Sequence, residues 1–225
     1  MRVSRTVPIA AVAALALALV ASPARADDPA AVLTSGAAGV DGVNVAAGDV
    51  LNASVATGTT ANFNTAAGGS TGVKCAESAF TATVVDNPVA PGVATESTTG
   101  HSFGSCTANI FGVTRVNSVT VNNLPFATTV DSATGAVTVT GTDAAPIQTT
   151  LSLGTILGSV TCVYQATNGS IAGVTSNTDN SIAFADQAFS KTSGPITCPS
   201  SGFFTATYAP VVDTTVEGGP SVFTN

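Results

Sequence analysis

Apolar and polar residues alternate along most of the chain, beginning near residue 50. A period of two is that of a strand with one buried face, and Val and Thr suit a pleated sheet. No stretch after residue 26 sustains the 3.6-residue apolar period of a helix. The clearest alternating segments are 50–55, 78–85, 116–121, 128–130, 136–140, 159–167, 170–175, 181–184, 203–208 and 221–224. The pattern predicts an all-β fold, sandwich or barrel-like, with about a dozen short, mostly antiparallel strands.

Two of the breaks between these segments have the composition of hairpin turns. Residues 131–135, Asp-Ser-Ala-Thr-Gly, form a five-residue loop between two alternating segments. Asn168-Gly169 separates two more, and it is the strongest short hairpin signal in the chain because a type I′ turn needs positive φ at both positions. We expect a β-hairpin at each of these breaks.

The first 26 residues have the features of a secretory signal peptide. Arg2 and Arg5 give a positive start, residues 9–20 are apolar, and Ala-Arg-Ala at 24–26 has the small-x-small pattern that signal peptidase cleaves. The apolar run is shorter than the roughly 20 residues that a membrane span needs. We expect residues 27–225 to form the mature protein, secreted or at the cell surface, with no membrane insertion.

Removal of the signal peptide leaves an acidic chain. Lys74, Arg115 and Lys191 are its only cations against 13 carboxylates, so the net charge is 3 − 13 = −10. Nucleic acid and anionic lipid recruit clustered Lys and Arg, so this balance argues against both as partners. Hydrophobic residues make up 44% of the sequence, which excludes a disordered acidic tail and allows one all-β domain with a sizeable core.

Four cysteines in an exported chain predict two disulfides. Three connectivities exist, and we favour Cys75–Cys106 with Cys162–Cys198 because each pair then falls in its own half of the chain. A metal site would need close cysteine pairs or additional histidines, and the chain has neither. We expect no metal and no cofactor.

One segment matches a catalytic motif in form. Residues 100–104, Gly-His-Ser-Phe-Gly, have the spacing of the nucleophile elbow of lipases and esterases. In that motif a distant histidine activates the serine, yet the only histidine of the chain, His101, directly precedes Ser102. No other set of nucleophile and base is present, so we expect a protein that is not an enzyme and has no catalytic residues.

The blocks around the cysteines resemble one family. They are Val73-Lys-Cys75 with Phe80, Phe103-Gly-Ser-Cys106, Asn122-Asn-Leu-Pro-Phe126, Gly158-Ser-Val-Thr-Cys162-Val-Tyr164, Cys198-Pro-Ser-Ser-Gly-Phe-Phe-Thr-Ala-Thr-Tyr208 and Val222-Phe-Thr-Asn225. The family consists of secreted, disulfide-bonded β proteins of high-GC Gram-positive bacteria with no assigned function. A looser likeness, in composition and architecture, is to the enediyne-binding apoproteins of these bacteria. The first resemblance implies a secreted β protein and transfers no activity; the second implies a small-molecule carrier only by analogy.

A faint echo links the two halves of the mature chain. Cys75 is followed by Phe-Thr-Ala-Thr at 80–83, and Cys198 by Phe-Phe-Thr-Ala-Thr at 203–207. Two related lobes, each with a disulfide, would explain the echo, and so would chance similarity between strands rich in Ala and Thr. We expect a single domain over residues 27–225 and keep the two lobes as the alternative.

Three classes of function remain for such a scaffold, and the third is an enzyme of unfamiliar type. The first is a non-enzymatic structural or adhesive role at the cell surface, for which cell wall or protein would be the partner. The alternative is an extracellular binding module for an apolar small molecule or a protein. Its candidate site is a cleft formed by aromatic residues, which would otherwise simply fill the core. The candidates are Phe103, Phe111, Phe126, Phe203, Phe204 and Tyr208.

Overall fold

β-Strands follow one another through the part of the chain that the computed structural model describes, residues 28–225. The predicted signal peptide lies outside the described residues. The strands are β1 (Leu33–Ser35), β2 (Val43–Asn44), β3 (Val50–Ser54), β4 (Ala61–Asn64), β5 (Gly72–Asp86), β6 (Val93–Ala108), β7 (Val113–Asn122), β8 (Phe126–Asp131), β9 (Ala136–Thr140), β10 (Gln148–Thr155), β11 (Gly158–Ala166), β12 (Ser170–Ser176), β13 (Ser181–Ser193), β14 (Ser201–Tyr208), β15 (Val212–Asp213) and β16 (Val222–Thr224). The helical content of residues 28–225 is one 3-10 turn, Gly39–Asp41, so the predicted all-β class is confirmed.

Thirteen strands form one antiparallel sheet that closes into a barrel. Eight of them make the closed ring, in the order β12-β9-β8-β6-β5-β4-β14-β13, and pairing of β12 with β13 completes it. Strands β11, β10 and β7 continue outward from the far part of β13. The remaining three strands, β16, β1 and β2, form a small separate sheet.

The long strands β5, β6 and β13 run through two levels of the structure. In the lower storey, as we call it, the early part of β6 pairs with β8 and the early part of β13 pairs with β12. In the upper storey the late part of β13 pairs with β11, which leads on to β10 and β7. The closed barrel is thus extended upward by outer strands, and one cavity is lined by residues of both levels.

The predicted hairpin at Asn168-Gly169 is wrong, because the strands on its two sides do not pair with each other. β11 and β12 lie one after the other along the same edge of β13, so the dipeptide is part of a short connection between the upper and the lower storey. Gly169 has φ +70°, but Asn168 does not have the positive φ that a type I′ turn requires. The hairpin predicted at 131–135 does form, and joins β8 to β9.

The small sheet covers the lower end of the barrel. Within it β1, the first strand of residues 28–225, pairs with β16, the last, and Leu33 is opposite Thr224. The Asn225 side chain donates to the Ala31 carbonyl oxygen (2.8 Å), and the Asn87 side chain donates to that of Leu33 (2.8 Å). The first bond satisfies a carbonyl oxygen at the edge of the sheet, and the second is added to the backbone bond that Leu33 already accepts from the Val45 N–H (3.1 Å).

Both predicted disulfides are present. Cys75 and Cys106 are opposite each other on β5 and β6 and are bonded, while Cys162 of β11 is bonded to Cys198 in the β13–β14 loop. The first joins neighbouring strands of the upper storey, and the second attaches a long loop to its wall. None of the helical structure of residues 28–225 is long and apolar enough to cross a membrane.

Candidate functional site

The interior of the barrel contains an apolar cavity that extends through both storeys. About 980 Å³ of space between its wall atoms is not filled by protein, open solvent at the mouth included, and the part that the centre of a water-sized sphere can reach is about 80 Å³. Eight of the twelve aromatic residues of the chain line it. They are Phe63, Phe80, Phe103, Phe126, Phe184, Phe189, Phe204 and Tyr208. Protein interiors are normally packed with few voids larger than a water molecule, so this space is the outstanding feature of the fold.

The alternation of the strands places these side chains. Along β14 every second residue is buried, and Phe204 and Tyr208 point into the cavity while Phe203 points away. The walls from β8 and β9 follow the same rule, with Phe126 and Val137 inward. The cavity is therefore lined by one face of a closed sheet.

The wall of the upper storey has a seam between β6 and β7. The two strands lie side by side, but β7 pairs only with β10, and the part of β6 beyond Thr98 pairs only with β5. Half-buried side chains, Phe103 from one strand and Val119 and Val121 from the other, border the seam and line the cavity. We identify this seam as the mouth, because side chains rather than hydrogen bonds close it.

A single carboxyl group lies at the lower end of the cavity. Glu96 of β6 is 8% exposed and also borders a second, smaller cavity of about 330 Å³ below. No side chain or backbone group of residues 28–225 forms a hydrogen bond with this carboxyl. Burial raises the pKa of Glu96 to about 7, because the charged form loses its hydration.

A hydrogen-bond chain holds the one histidine at the cavity wall. The Tyr208 hydroxyl is 2.6 Å from Nε2 of His101 and 2.8 Å from the Ser78 hydroxyl, which donates to the Ser102 carbonyl oxygen (2.9 Å). Each hydrogen bond of this chain has one proton if Nε2–H of His101 donates to the Tyr208 hydroxyl and that hydroxyl donates to Ser78. This assignment leaves Nδ1 as an acceptor. Burial lowers the pKa of His101 to about 4, so the ring is neutral at pH 7.

A β-bulge decides which residues of β6 face the cavity. Thr98 is opposite Ala82 and Gly100 is opposite Thr81, so Thr99 is an extra residue without a partner. The bulge reverses the alternation, and the inward positions change from even numbers, such as 96 and 98, to odd numbers, such as 101 and 103. Without it, Ser102 would face inward in place of the histidine.

The elbow-like segment has the wrong geometry for its motif. Residues 100–104 lie within the continuous strand β6, whereas the motif needs a sharp turn from a strand to a helix. His101 points into the cavity, and exposed Ser102 lies on the opposite face of the strand. The imidazole therefore cannot take a proton from the serine next to it.

Four of the six predicted cleft residues do line the cavity: Phe103, Phe126, Phe204 and Tyr208. Phe203 points to the outer face of β14, and Phe111 is fully exposed in the β6–β7 loop. The sequence interpretation missed the polar groups, Glu96 and His101. The sequence offered one signal for Glu96: it lies two residues after Ala94, and alternation places both residues on the same face of a strand.

No family model, no curated protein and no solved structure matches this chain. The resemblance to exported proteins of high-GC Gram-positive bacteria therefore stays a prediction.

Proposed function

We propose that this protein is a secreted, non-enzymatic binding protein that holds a slender apolar molecule inside its barrel. The observation that supports the proposal is the cavity itself, lined by aromatic and aliphatic side chains with a few polar groups. Small-molecule sites typically have this composition. An unfilled apolar core is destabilising in proportion to its volume, so a cavity wide enough for more than one water molecule is more readily explained by an occupant than by poor packing.

The arrangement of the titratable groups supports binding rather than catalysis. The cavity walls carry three of them, Glu96, His101 and Tyr208. The glutamate and the histidine are opposite Val84 and Phe80 of β5, four residues apart, which at roughly 3.3 Å per residue separates them by about 13 Å. Acid–base catalysis needs such groups within hydrogen-bond reach of the same reacting atoms, so these two act separately.

Export is the second part of the proposal. Both cysteine pairs are oxidised, which fits the oxidising conditions outside the cytoplasm, and the first 26 residues have the pattern of a signal peptide. A structural or adhesive role at the cell surface remains a prediction from the sequence. Such a role would use the outer face and would not require an apolar cavity.

The test is binding of diphenylhexatriene, a slender hydrocarbon that fluoresces only in apolar surroundings. The mature oxidised protein should bind it in a saturable manner at one site. Val119→Trp places a large side chain at the mouth and should weaken binding at least tenfold. Thr120→Trp is the matched control, because residue 120 is the exposed neighbour on the same strand.

Either of two results would contradict the proposal. One is the absence of saturable fluorescence with the wild-type protein. The other is equal loss of binding in both tryptophan variants. Native mass spectrometry of protein purified from its own culture would then identify any molecule that the cavity retains.

A further inference from the structure

We infer that the molecule held in the barrel carries a protonated amine, and that this amine pairs with the carboxylate of Glu96 at the lower end of the cavity. The inference rests on the proposed function and specifies its ligand. An apolar body would occupy the aromatic part of the cavity, and the cationic end would reach the carboxylate.

The carboxyl lacks the partners that a buried acid normally has. No cation of residues 28–225 lines either cavity, since Lys74, Arg115 and Lys191 are all absent from the walls. His101 and Tyr208 are the other titratable groups of the main cavity, and the smaller cavity contributes none besides Glu96. Buried charges in proteins are paired, so a partner from outside the chain completes the site.

The glutamate and the histidine of the cavity select for a hydrogen-bond donor. The carboxylate of Glu96 only accepts hydrogen bonds, and Nδ1 of neutral His101 is also an acceptor. Thr98 and Thr128 bond to each other through their hydroxyls (2.7 Å). An anionic ligand would meet the glutamate with no cation to neutralise it. An alcohol could donate one bond, but it could not neutralise the charge.

The depth of the site indicates an elongated ligand. Phe103 at the mouth and Glu96 are opposite Ser78 and Val84 of β5, six residues apart, about 20 Å at roughly 3.3 Å per residue. A ligand that reaches from the mouth to the carboxyl is therefore long and narrow. A short alkyl amine would occupy only the lower part of the same path.

The amine preference should depend on pH in one direction. At pH 8 Glu96 is ionised and an alkyl amine, like a Lys side chain, is cationic. As pH falls below about 7 the carboxyl of the empty protein takes up a proton, and the amine then has to displace it. Affinity for the amine should therefore decrease toward pH 5, while affinity for a neutral ligand stays constant.

The experiment compares octylamine, octanol and octanoate as competitors of diphenylhexatriene. The wild-type protein at pH 8 should bind octylamine at least tenfold more tightly than octanol, and octanoate most weakly. Glu96→Gln should abolish the difference between octylamine and octanol and retain the hydrocarbon. Glu77→Gln is the matched control, because Glu77 is an exposed residue on the neighbouring strand.

The outcomes separate this inference from the proposed function. If diphenylhexatriene does not bind, the proposed function fails. If it binds, but octanol equals octylamine in the wild-type protein, the cavity binds apolar molecules and the amine inference is wrong. The inference also fails if Glu96→Gln keeps the amine preference or if that preference does not decrease between pH 8 and pH 5.

A different surface carries a second inference. The loops of the upper storey hold large apolar side chains in full contact with solvent: Phe111 is 104% exposed and Leu157 is 93% exposed, with Ile156 beside it. Val113 and Thr155 are opposite each other on β7 and β10, so these loops lie next to each other. We call Phe111, Ile156 and Leu157 the apolar tip.

The charges of the molecule are separated between its two ends. The four loops of the upper end, 65–71, 109–112, 156–157 and 194–200, contain no Asp or Glu, although the Asp186 carboxylate accepts from the Gly68 N–H in the first of them (3.1 and 3.0 Å). Arg115 lies four residues from Phe111, and Lys191 donates to the Cys198 carbonyl oxygen in the 194–200 loop (3.0 Å). Turns of the lower end contain acids, among them Asp49, Asp179 and Glu217. The loops that carry the apolar tip are therefore less acidic than the net charge of −10 suggests.

We propose that the apolar tip docks on an anionic lipid bilayer, with its cations at the level of the headgroups. Peripheral binding of this kind combines shallow burial of apolar side chains with attraction to anionic lipid. The 109–112 and 156–157 loops carry the apolar tip and contain no carboxylate, so they suit a bilayer surface better than they suit a flat protein interface.

Vesicle co-sedimentation tests this docking. The protein should bind vesicles of equal parts phosphatidylcholine and phosphatidylglycerol, and less to phosphatidylcholine alone. Replacing the three residues of the apolar tip by Ser should reduce binding at least tenfold, and the control Val40→Ser/Val43→Ser, at the lower end, should not. Absence of binding, equal effects of both variants, or tip-dependent dimerisation without vesicle binding would each overturn the proposal.

Discussion

Replacing either buried titratable group of the cavity should reveal a pH dependence of stability that the intact protein conceals. The folded-state pKa of Glu96 is about 7, against an ordinary value of 4.5, and that of His101 is about 4, against 6.5. The folded protein therefore binds more protons at the glutamate than the unfolded chain does, and fewer at the histidine. These two differences act on stability in opposite directions.

The signs and magnitudes follow from the two shifts. For Glu96, stability is greatest below pH 4.5 and falls as pH rises to 7; the shift of 7 − 4.5 = 2.5 corresponds to about 3 kcal/mol. For His101, stability is lowest below pH 4 and rises until pH 6.5, by about 3 kcal/mol for a shift of 6.5 − 4 = 2.5. Between pH 4.5 and 6.5 the two slopes cancel.

Urea denaturation at half-unit steps from pH 4.5 to 8 measures both slopes. The wild-type protein should have nearly constant stability from pH 5 to 6.5. As pH rises from 5 to 6.5, the free energy of unfolding of Glu96→Gln should increase by about 2 kcal/mol, and that of His101→Gln should decrease by about 2 kcal/mol. Both values follow from the slope of roughly 1.4 kcal/mol per pH unit for one proton. The slope is compared, so a general loss of stability in either variant does not affect the result.

The double variant and the exposed control complete the design. Glu96→Gln/His101→Gln should again be flat, and Glu77→Gln should follow the wild-type curve. A flat curve for Glu96→Gln, or slopes of the same sign in both single variants, would refute the assignment of a lowered pKa to His101 and a raised pKa to Glu96.

Three further predictions concern stability and packing. Cys162→Ala/Cys198→Ala opens a loop with a sequence separation of 36 and should lower the free energy of unfolding by about 3–4 kcal/mol, measured in urea against the oxidised wild type. Gly202→Ala would place its Cβ against the Phe63 ring, so it should destabilise by about 1–3 kcal/mol and alter diphenylhexatriene affinity, since that ring lines the cavity. Tyr208→Phe removes the hydroxyl that links histidine to serine and should lower the melting temperature, at a loss of about 1–3 kcal/mol; an unchanged melting temperature would contradict the hydrogen-bond chain.

Strand positions were predictable where the alternation is regular. The segment 203–208 lies within β14, and 136–140 coincides with β9. The full extent of β6 was not predictable, because Gly100, Gly104 and several polar residues interrupt its apolar pattern. Its length is maintained by pairing on both sides in the lower storey and by a disulfide above, which local composition does not reveal.

The cavity itself could not be derived from the sequence. Alternation distinguishes one face of a strand from the other, yet it does not show whether that face meets a packed core or an empty space. The inward position of His101 depends on the bulge at Thr99, and a one-residue change of register has no separate signal. Pairing of β11 and β12 with one edge of β13 likewise involves residues distant in sequence, so Asn168-Gly169 had the composition of a hairpin without forming one.

The pairing of β1 with β16 determines how the protein can be handled. Residues 33–35 and 222–224 form one ladder on the lower end, opposite the loops of the upper storey. A tag or surface linker attached next to either strand would therefore leave the seam between β6 and β7 unobstructed. Short peptide linkers between these neighbouring ends would also permit a circular permutant, opened for example at the β10–β11 turn, in which the barrel is retained and the order of its strands along the chain is changed.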